Sequence, residues 1–172
     1  MRPRADAERI NAFVRGLGHG TRTPVRLYLT RGATAVLEGW RASTVDIDVH
    51  FEPDLDELLR RIPALKERLG VNVELASPAQ FIPELPGWRE RSRFVLRAGR
   101  LDVFHFDAYS QALAKLERAF DQDFEDVRAM VARGLVEPRR ARELFSRIEP
   151  ELFRFPAIDP PSFRARVERE LG

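Results

Sequence analysis

Apolar residues near the start of the chain recur at helical spacing: Ala7, Ile10, Phe13, Val14 and Leu17 form one stripe within residues 4–17. Gly16, Gly18 and Gly20 are expected to end that helix. Residues 25–30 alternate enough to predict a strand, and Gly32 opens a tight turn into a short helix over 33–37, ending near Gly39. Residues 44–51 form a second strand. Pro53-Asp54 starts a helix whose buried stripe is Leu55, Leu58, Leu59, Ile62 and Leu65, and Pro63 inside it is expected to kink or split it. A short strand follows over 71–75, then a Pro-rich loop carrying Phe81, Leu85 and Trp88. Residues 93–97 and 100–106 form a hairpin that turns at Ala98-Gly99. From Tyr109 the periodicity is helical, over about 109–119, 122–133, 138–147 and 161–171, with a Pro-rich link at 155–161.

This order predicts an α/β (α+β) fold in which a mixed sheet is covered on at least one face. The division is a core over 1–108 and a helical region over 109–172 packed on it. At 172 residues, 44% of them hydrophobic, the chain can bury a true core, and 33% charged residues give it a soluble surface. The opening residues Met1-Arg-Pro-Arg-Ala-Asp-Ala-Glu8 lack the apolar stretch of a secretory signal, and no apolar run is long enough to span a bilayer. Cysteine is absent, which excludes disulfides, thiolate metal sites and thiol nucleophiles. The chain is therefore expected to be cytoplasmic. A net charge of +2 supplies no bulk field for nucleic acid. Of the 29 basic residues only Lys66 and Lys115 are lysines, so each lysine is worth locating.

In the strand over 44–51, Asp46 and Asp48 point to one face while Val45, Ile47 and Val49 point to the other. A half-solvated strand shows the same alternation, and carboxylates on a wet face need no further cause. Yet aspartate is depleted in strands, and two carboxylates side by side repel each other. A hard divalent cation removes that repulsion. Mg²⁺ takes oxygen ligands and often combines one or two carboxylates with substrate phosphates. The pair points to phosphoryl-group chemistry.

The chain lacks the phosphate-binding Gly-x-x-x-x-Gly-Lys loop, Gly-x-Gly-x-x-Gly, Gly-x-Ser-x-Gly and His-Glu-x-x-His, which removes the usual support for four common enzyme classes. What it does have is Gly32-Ala33-Thr34-Ala35 ahead of the short helix, then Arg41-Ala-Ser-Thr44-Val-Asp46-Ile-Asp48. A glycine before a helix is ordinary by itself. Followed by Asp-x-Asp, it resembles the nucleotidyltransferase fold of the DNA polymerase beta superfamily, over about residues 25–133. The wording around Asp46 is most similar to a small bacterial branch that includes minimal nucleotidyltransferases and AbiE-type abortive-infection toxins.

The resemblance implies a nucleotidyltransferase-like mixed sheet flanked by helices, with a C-terminal helical extension. It also implies transfer of a nucleoside monophosphate from an NTP to an acceptor hydroxyl, dependent on Mg²⁺ (or Mn²⁺). The acceptor would be an RNA end, such as that of tRNA, or a protein side chain, and the partner a cognate antitoxin of a toxin–antitoxin pair. Asp46 and Asp48 would hold metal. Gly32, Ala33, Thr34, Arg41 and Thr44 would contact the nucleotide, Thr34 by donating its hydroxyl to phosphate. Ala33 departs from the Gly or Ser usual in the family, so its methyl is expected to crowd the triphosphate.

For the third carboxylate the choice is Asp102, on a strand between apolar neighbours; Asp107 is expected to cap the next helix instead. Lys115 and Asp126 match the Lys and Asp-x-x-Asp of the AbiE-like branch and would complete the catalytic set, Lys115 by stabilising phosphate charge. On one unbroken helix they would stand about 16 Å apart. A break near Phe120-Asp121-Gln122, with Gln122 and Glu125 capping the second segment, would bring them together; two solvated helices are the plainer alternative.

Arginines 89, 91, 93, 97 and 100 form either a positive rim or a charged edge that discourages strand pairing. His50 and His105 read as hydrogen-bonded, partly buried histidines, and Trp40 and Trp88 as packing residues. Two other functions stay open. One is a catalytically silent partner-binding module, favoured by Ala33; the other is a metal hydrolase using Asp46, Asp48 and His50.

Overall fold

A computed structural model describes residues 3–172, so Met1 and Arg2, part of the stretch read for a secretory signal, lie outside it. The chain divides into two compact units. Of the described residues, the first comprises 3–77 and 92–105, and the second comprises 78–91 and 106–172. The segment over 78–91 therefore groups with the C-terminal helices.

The first unit holds α1 (Ala7–Gly18), β1 (Val25–Thr30), α2 (Gly32–Glu38), β2 (Asp46–Glu52), α3 (Asp56–Leu69) and β3 (Asn72–Leu75). The second unit's first α-helix is α4 (Trp88–Arg91); the chain then returns to the first unit with β4 (Arg93–Ala98) and β5 (Leu101–His105). The five strands form one mixed sheet in the order β3-β2-β1-β5-β4. β1 is antiparallel to β2 and parallel to β5, β2 is parallel to β3, and β4 is antiparallel to β5. This is the mixed α/β sheet the sequence predicts.

One face of the sheet is the core. Leu27 and Leu29 of β1, Ile47, Val49 and Phe51 of β2, and Leu101 and Val103 of β5 pack with Ile10, Phe13, Leu17, Leu58 and Leu65 from α1 and α3. Each such side chain contributes about 1.5–3 kcal/mol of hydrophobic stabilisation. That burial fixes the register, because a one-residue slip of β2 would put Asp46 and Asp48 into this core.

The boundaries differ from expectation where long-range packing decides. Gly16 lies within α1, which ends at Gly18 as expected. A Cβ on Gly18 would lie 2.2 Å from the Ala98 carbonyl oxygen, and one on Gly16 would lie 2.8 Å from Leu65. Both glycines let the helix approach its neighbours, and the chain turns at Gly20, at φ 89°. Pro63 does not split α3; it lies on the exposed side, where the carbonyl it leaves without a donor can turn to water. β2 begins at Asp46, two residues later than expected, because Thr44 is occupied in an isolated bridge to Ala5.

The second unit contains α5 (Ala108–Arg118), α6 (Asp121–Ala132), α7 (Pro138–Ile148) and α8 (Pro160–Leu171). Phe145 meets Phe163 edge-on at 5.0 Å, and Trp88 stacks on Phe106 at 4.3 Å, in keeping with a packing role. Asp107 caps α5 as expected, accepting from the Tyr109 and Ser110 amides, and Arg91 holds its two oxygens at 3.1 and 2.8 Å. Among the described residues no helix is long and apolar enough to cross a membrane.

Candidate active site

Alternation along β2 puts Asp46, Asp48, His50 and Glu52 on the face away from the apolar core. Asp48 is nevertheless only 4% exposed. A buried carboxylate is costly unless positive charge or hydrogen bonds stand against it. Here the Arg31 guanidinium lies 3.9 Å from Asp48 Oδ1. Asp46 is half-buried and accepts a hydrogen bond from the Asn72 side-chain amide of β3.

Arg31 sits at φ 57°, ψ −127°, a backbone region suited to glycine, at the N-cap of α2. Holding a residue with a Cβ there costs on the order of 1–3 kcal/mol. The residue that departs from a glycine-favoured turn is thus Arg31 and not Ala33. Ala33 belongs to the apolar core with its methyl fully buried, so the expected crowding of a triphosphate by that methyl is not supported.

Gly32 is required by the fold itself. A Cβ there would meet Thr44 Oγ1 at 2.0 Å and Thr44 Cβ at 2.7 Å, with Arg41 Nη1 at 3.4 Å. The turn, Thr44 and Arg41 are therefore mutually packed. Thr44 donates its hydroxyl to the Asp46 carbonyl at 3.0 Å, which positions the start of β2 and uses the hydroxyl's only proton. Thr34 also differs from expectation. It is buried, with Oγ1 3.2 Å from the Leu29 carbonyl and 3.1 Å from His105 Nδ1, so its single proton is spent inside the unit, not on phosphate.

Asp102 does not join the aspartate pair. It lies on the same face, but β1 pairs Thr30 with Asp48 and Arg26 with Asp102, a separation of four residues or about 13 Å along the strand. The row His50–Tyr28–Phe104 stands between them, with ring centroids 6.0 and 5.5 Å apart. Asp102 accepts instead from Arg97 Nε and Nη2. The carboxylate level with Asp48 is Glu74, its register partner on β3, which is exposed. Adjacent strands lie about 4.8 Å apart, so Glu74 flanks Asp48 on the same face. Glu74 was not anticipated, although Val73-Glu74-Leu75, an acid between apolar residues on the strand after α3, is the signal that marks it.

Three carboxylates on neighbouring strands form an all-oxygen donor set suited to a hard divalent ion. In the side-chain positions of this structure, no three acidic or histidine groups among the described residues are already drawn together at metal-binding spacing. Asp46 is turned to Asn72 and Asp48 faces Arg31. His50 packs on the Tyr28 ring, with Nε2 3.9 Å from Glu52, which directs it away from a hydrolase-type ligand role.

In the second unit the predicted break is present: Ala119 turns at φ 63° and α6 restarts at Asp121. Lys115 and Asp126 meet at 2.8 Å, with Asp123 at 3.7 Å. Asp123, rather than Gln122 with Glu125, closes the start of α6 by accepting from the Phe120 amide, and Gln122 donates to Asp126. Burial alone would raise the Asp123 carboxyl, but hydrogen bonds from Arg118 and the Lys115 charge outweigh it and hold it below the usual range. Lys115 is only 4% exposed, so its ammonium is matched by carboxylates of its own unit rather than offered to a phosphate.

His105 is a buried histidine, as read, with Nε2 3.3 Å from Glu38, which also pairs with Arg93. Burial pushes it down to about 4, against the pull of Glu38 and aided by Arg93. Its folded value lies below the unfolded one, so its contribution is complete above pH 6.5 and is lost as pH falls towards 4. Urea denaturation should show the wild type losing about 3 kcal/mol more than His105→Gln between neutral pH and pH ~4. An equal loss in both proteins would show that His105 is readily protonated in the fold.

The positive rim is mostly neutralised: Arg89 pairs with Glu84, Arg91 with Asp107, Arg93 with Glu38 and Arg97 with Asp102. β4 is an edge strand with a bulge between Phe94 and Leu96, in keeping with a protected edge.

Comparison with known families matches residues 22–148 to one described as "Nucleotidyltransferase of unknown function (DUF6036)". No curated protein and no solved structure matches the chain.

Proposed function

Because the chain belongs to this nucleotidyltransferase family, we propose that it transfers a nucleoside monophosphate from an NTP to an acceptor hydroxyl, on an RNA end or a protein side chain. The observation that carries this is the buried Asp48 beside Asp46, with Glu74 level with it on the next strand. Asp46, Asp48 and Glu74 would hold Mg²⁺ or Mn²⁺. Bound there, the ion would neutralise triphosphate charge and favour the deprotonated acceptor oxygen. Arg31 and Arg41, both beside the Gly32 turn, would face the phosphates, where guanidinium groups suit anionic oxygens. The acceptor oxygen forms a bond to the α-phosphorus, the bond to pyrophosphate breaks, and the hydroxyl proton passes to a site carboxylate. Glu74, the most exposed of the three, is best placed to take it.

One observation favours a second reading. Arg31 already brings positive charge to within 3.9 Å of Asp48, as a silent binding module would need in place of an ion. Incubation with each α-labelled NTP, Mg²⁺ or Mn²⁺ and total cell RNA and protein separates the two. Label joined covalently to RNA or protein supports transfer. Label released only as free nucleotide indicates hydrolysis, and no product with any NTP supports the silent module.

A further inference from the structure

At the C-terminal end of α1 the first unit has two cavities, of about 400 and 460 Å³. His19 lines both, so the two adjoin at this residue. The first is lined by Arg15, Arg97 and Arg100, and the second by Arg60, Arg61 and Arg68 on α3. No acidic residue lines either one.

These six arginines are not equivalent. Arg97 is neutralised by Asp102. Arg61 is structural: its Nη2 donates to the carbonyls of Gly16, Leu17 and His19, closing the end of α1. Arg15, Arg60, Arg68 and Arg100 are exposed, and among the described residues none has a carboxylate within ion-pair distance. Arg60 and Arg68 lie two turns apart on one face of α3 with the small Ala64 between them. Gly20 and Gly99, both at positive φ, add no side chain to the lining of the first cavity.

We propose that this surface docks the phosphate backbone of a nucleic acid through Arg15, Arg60, Arg68 and Arg100. Concentrated, unneutralised guanidinium groups on an open two-lobed groove fit a polyanion, each able to grip phosphate oxygens with two parallel donors. An acidic protein is the weaker match. Protein interfaces are anchored by Trp, Tyr or large apolar groups, whereas no Phe, Tyr or Trp lines either cavity and Leu65 is buried. Without Phe, Tyr or Trp in the linings, the surface holds the backbone rather than reading bases. This inference does not rest on the transferase reading, because the groove is built without Asp46, Asp48 or Glu74.

The test is fluorescence anisotropy with a short labelled single-stranded RNA of mixed sequence, in EDTA and without NTP, across a salt series. The full chain should bind with strong salt dependence and little preference among sequences. Converting Arg15, Arg60, Arg68 and Arg100 to glutamate should weaken binding at least about tenfold and flatten the log K against log salt slope by roughly 3, at about 0.7 per single-strand phosphate contact. Arg139→Glu/Arg140→Glu, in the second unit, should leave binding unchanged. If the fourfold glutamate variant melts lower, four glutamines at the same positions replace it. Equal affinity and slope in wild type and variant would overturn the proposal, as would an equal loss in the Arg139/Arg140 control. A wild type that ignores RNA but binds polyglutamate would assign the surface to acidic protein and also overturn it.

Discussion

Lys115→Met is expected to destabilise the protein by about 3–5 kcal/mol, the range for removing one partner of a buried ion pair. That is a large part of the 5–15 kcal/mol that typically holds a domain together. The loss follows from what remains. Asp126 is fully buried and would lose the ammonium at 2.8 Å while keeping Gln122 at 3.2 Å, and Asp123 would retain Arg118. The double variant Lys115→Met/Asp126→Leu should recover most of the loss, because two apolar groups of similar volume leave no charge stranded. Lys115→Arg should also be costly, by about 1–3 kcal/mol, since the larger guanidinium overfills an enclosed site. Urea midpoints at constant m-value report all three. A single variant within about 1 kcal/mol of wild type would mean that the pair is solvated and α5 and α6 are joined by other contacts.

Asp48→Asn is expected to lower nucleotidyl transfer by about 10³-fold or more, several kcal/mol of charge stabilisation being tied to the ion it would help to hold. The fold should tolerate the change, because asparagine keeps the shape of the side chain and removes charge from a position only 4% exposed. Glu74→Gln should impair transfer as well. Asp102→Asn should not, since Asp102 stands about 13 Å along the sheet and is held by Arg97. Reversed results for Glu74 and Asp102, measured as initial rates with matched circular dichroism, would return the third carboxylate to Asp102.

Periodicity made the fold legible wherever one face of an element is buried. The alternation of β2 and the stripes of α1 and α3 are local, and so is the break at Ala119–Asp121 that lets Lys115 reach Asp126. The aspartate pair was legible for the same reason, since a period of two puts Asp46 and Asp48 on one face whatever the sheet order. The third carboxylate was not. Choosing between Asp102 and Glu74 requires the order β3-β2-β1-β5-β4 and the register of two strand pairs, which are products of long-range packing. Gly16 misled in the same way, because glycine marks a turn and a close approach alike and only its contact with Leu65 distinguishes them. Thr34 and Ala33 face inward from α2, while the strained residue is Arg31, and no local pattern encodes the sign of its φ.

Mn²⁺ titration followed by electron paramagnetic resonance tests the central claim most directly, because it reads the carboxylate site without any knowledge of the acceptor. The account predicts that the wild type depletes the free Mn²⁺ signal, that Mg²⁺ competes, and that NTP strengthens binding. Asp46→Asn/Asp48→Asn should abolish that depletion with its secondary structure unchanged, and Asp102→Asn should leave it intact. Equal Mn²⁺ binding by the wild type and the Asp46/Asp48 double variant would place the ion elsewhere and contradict the assignment of this strand as the active site.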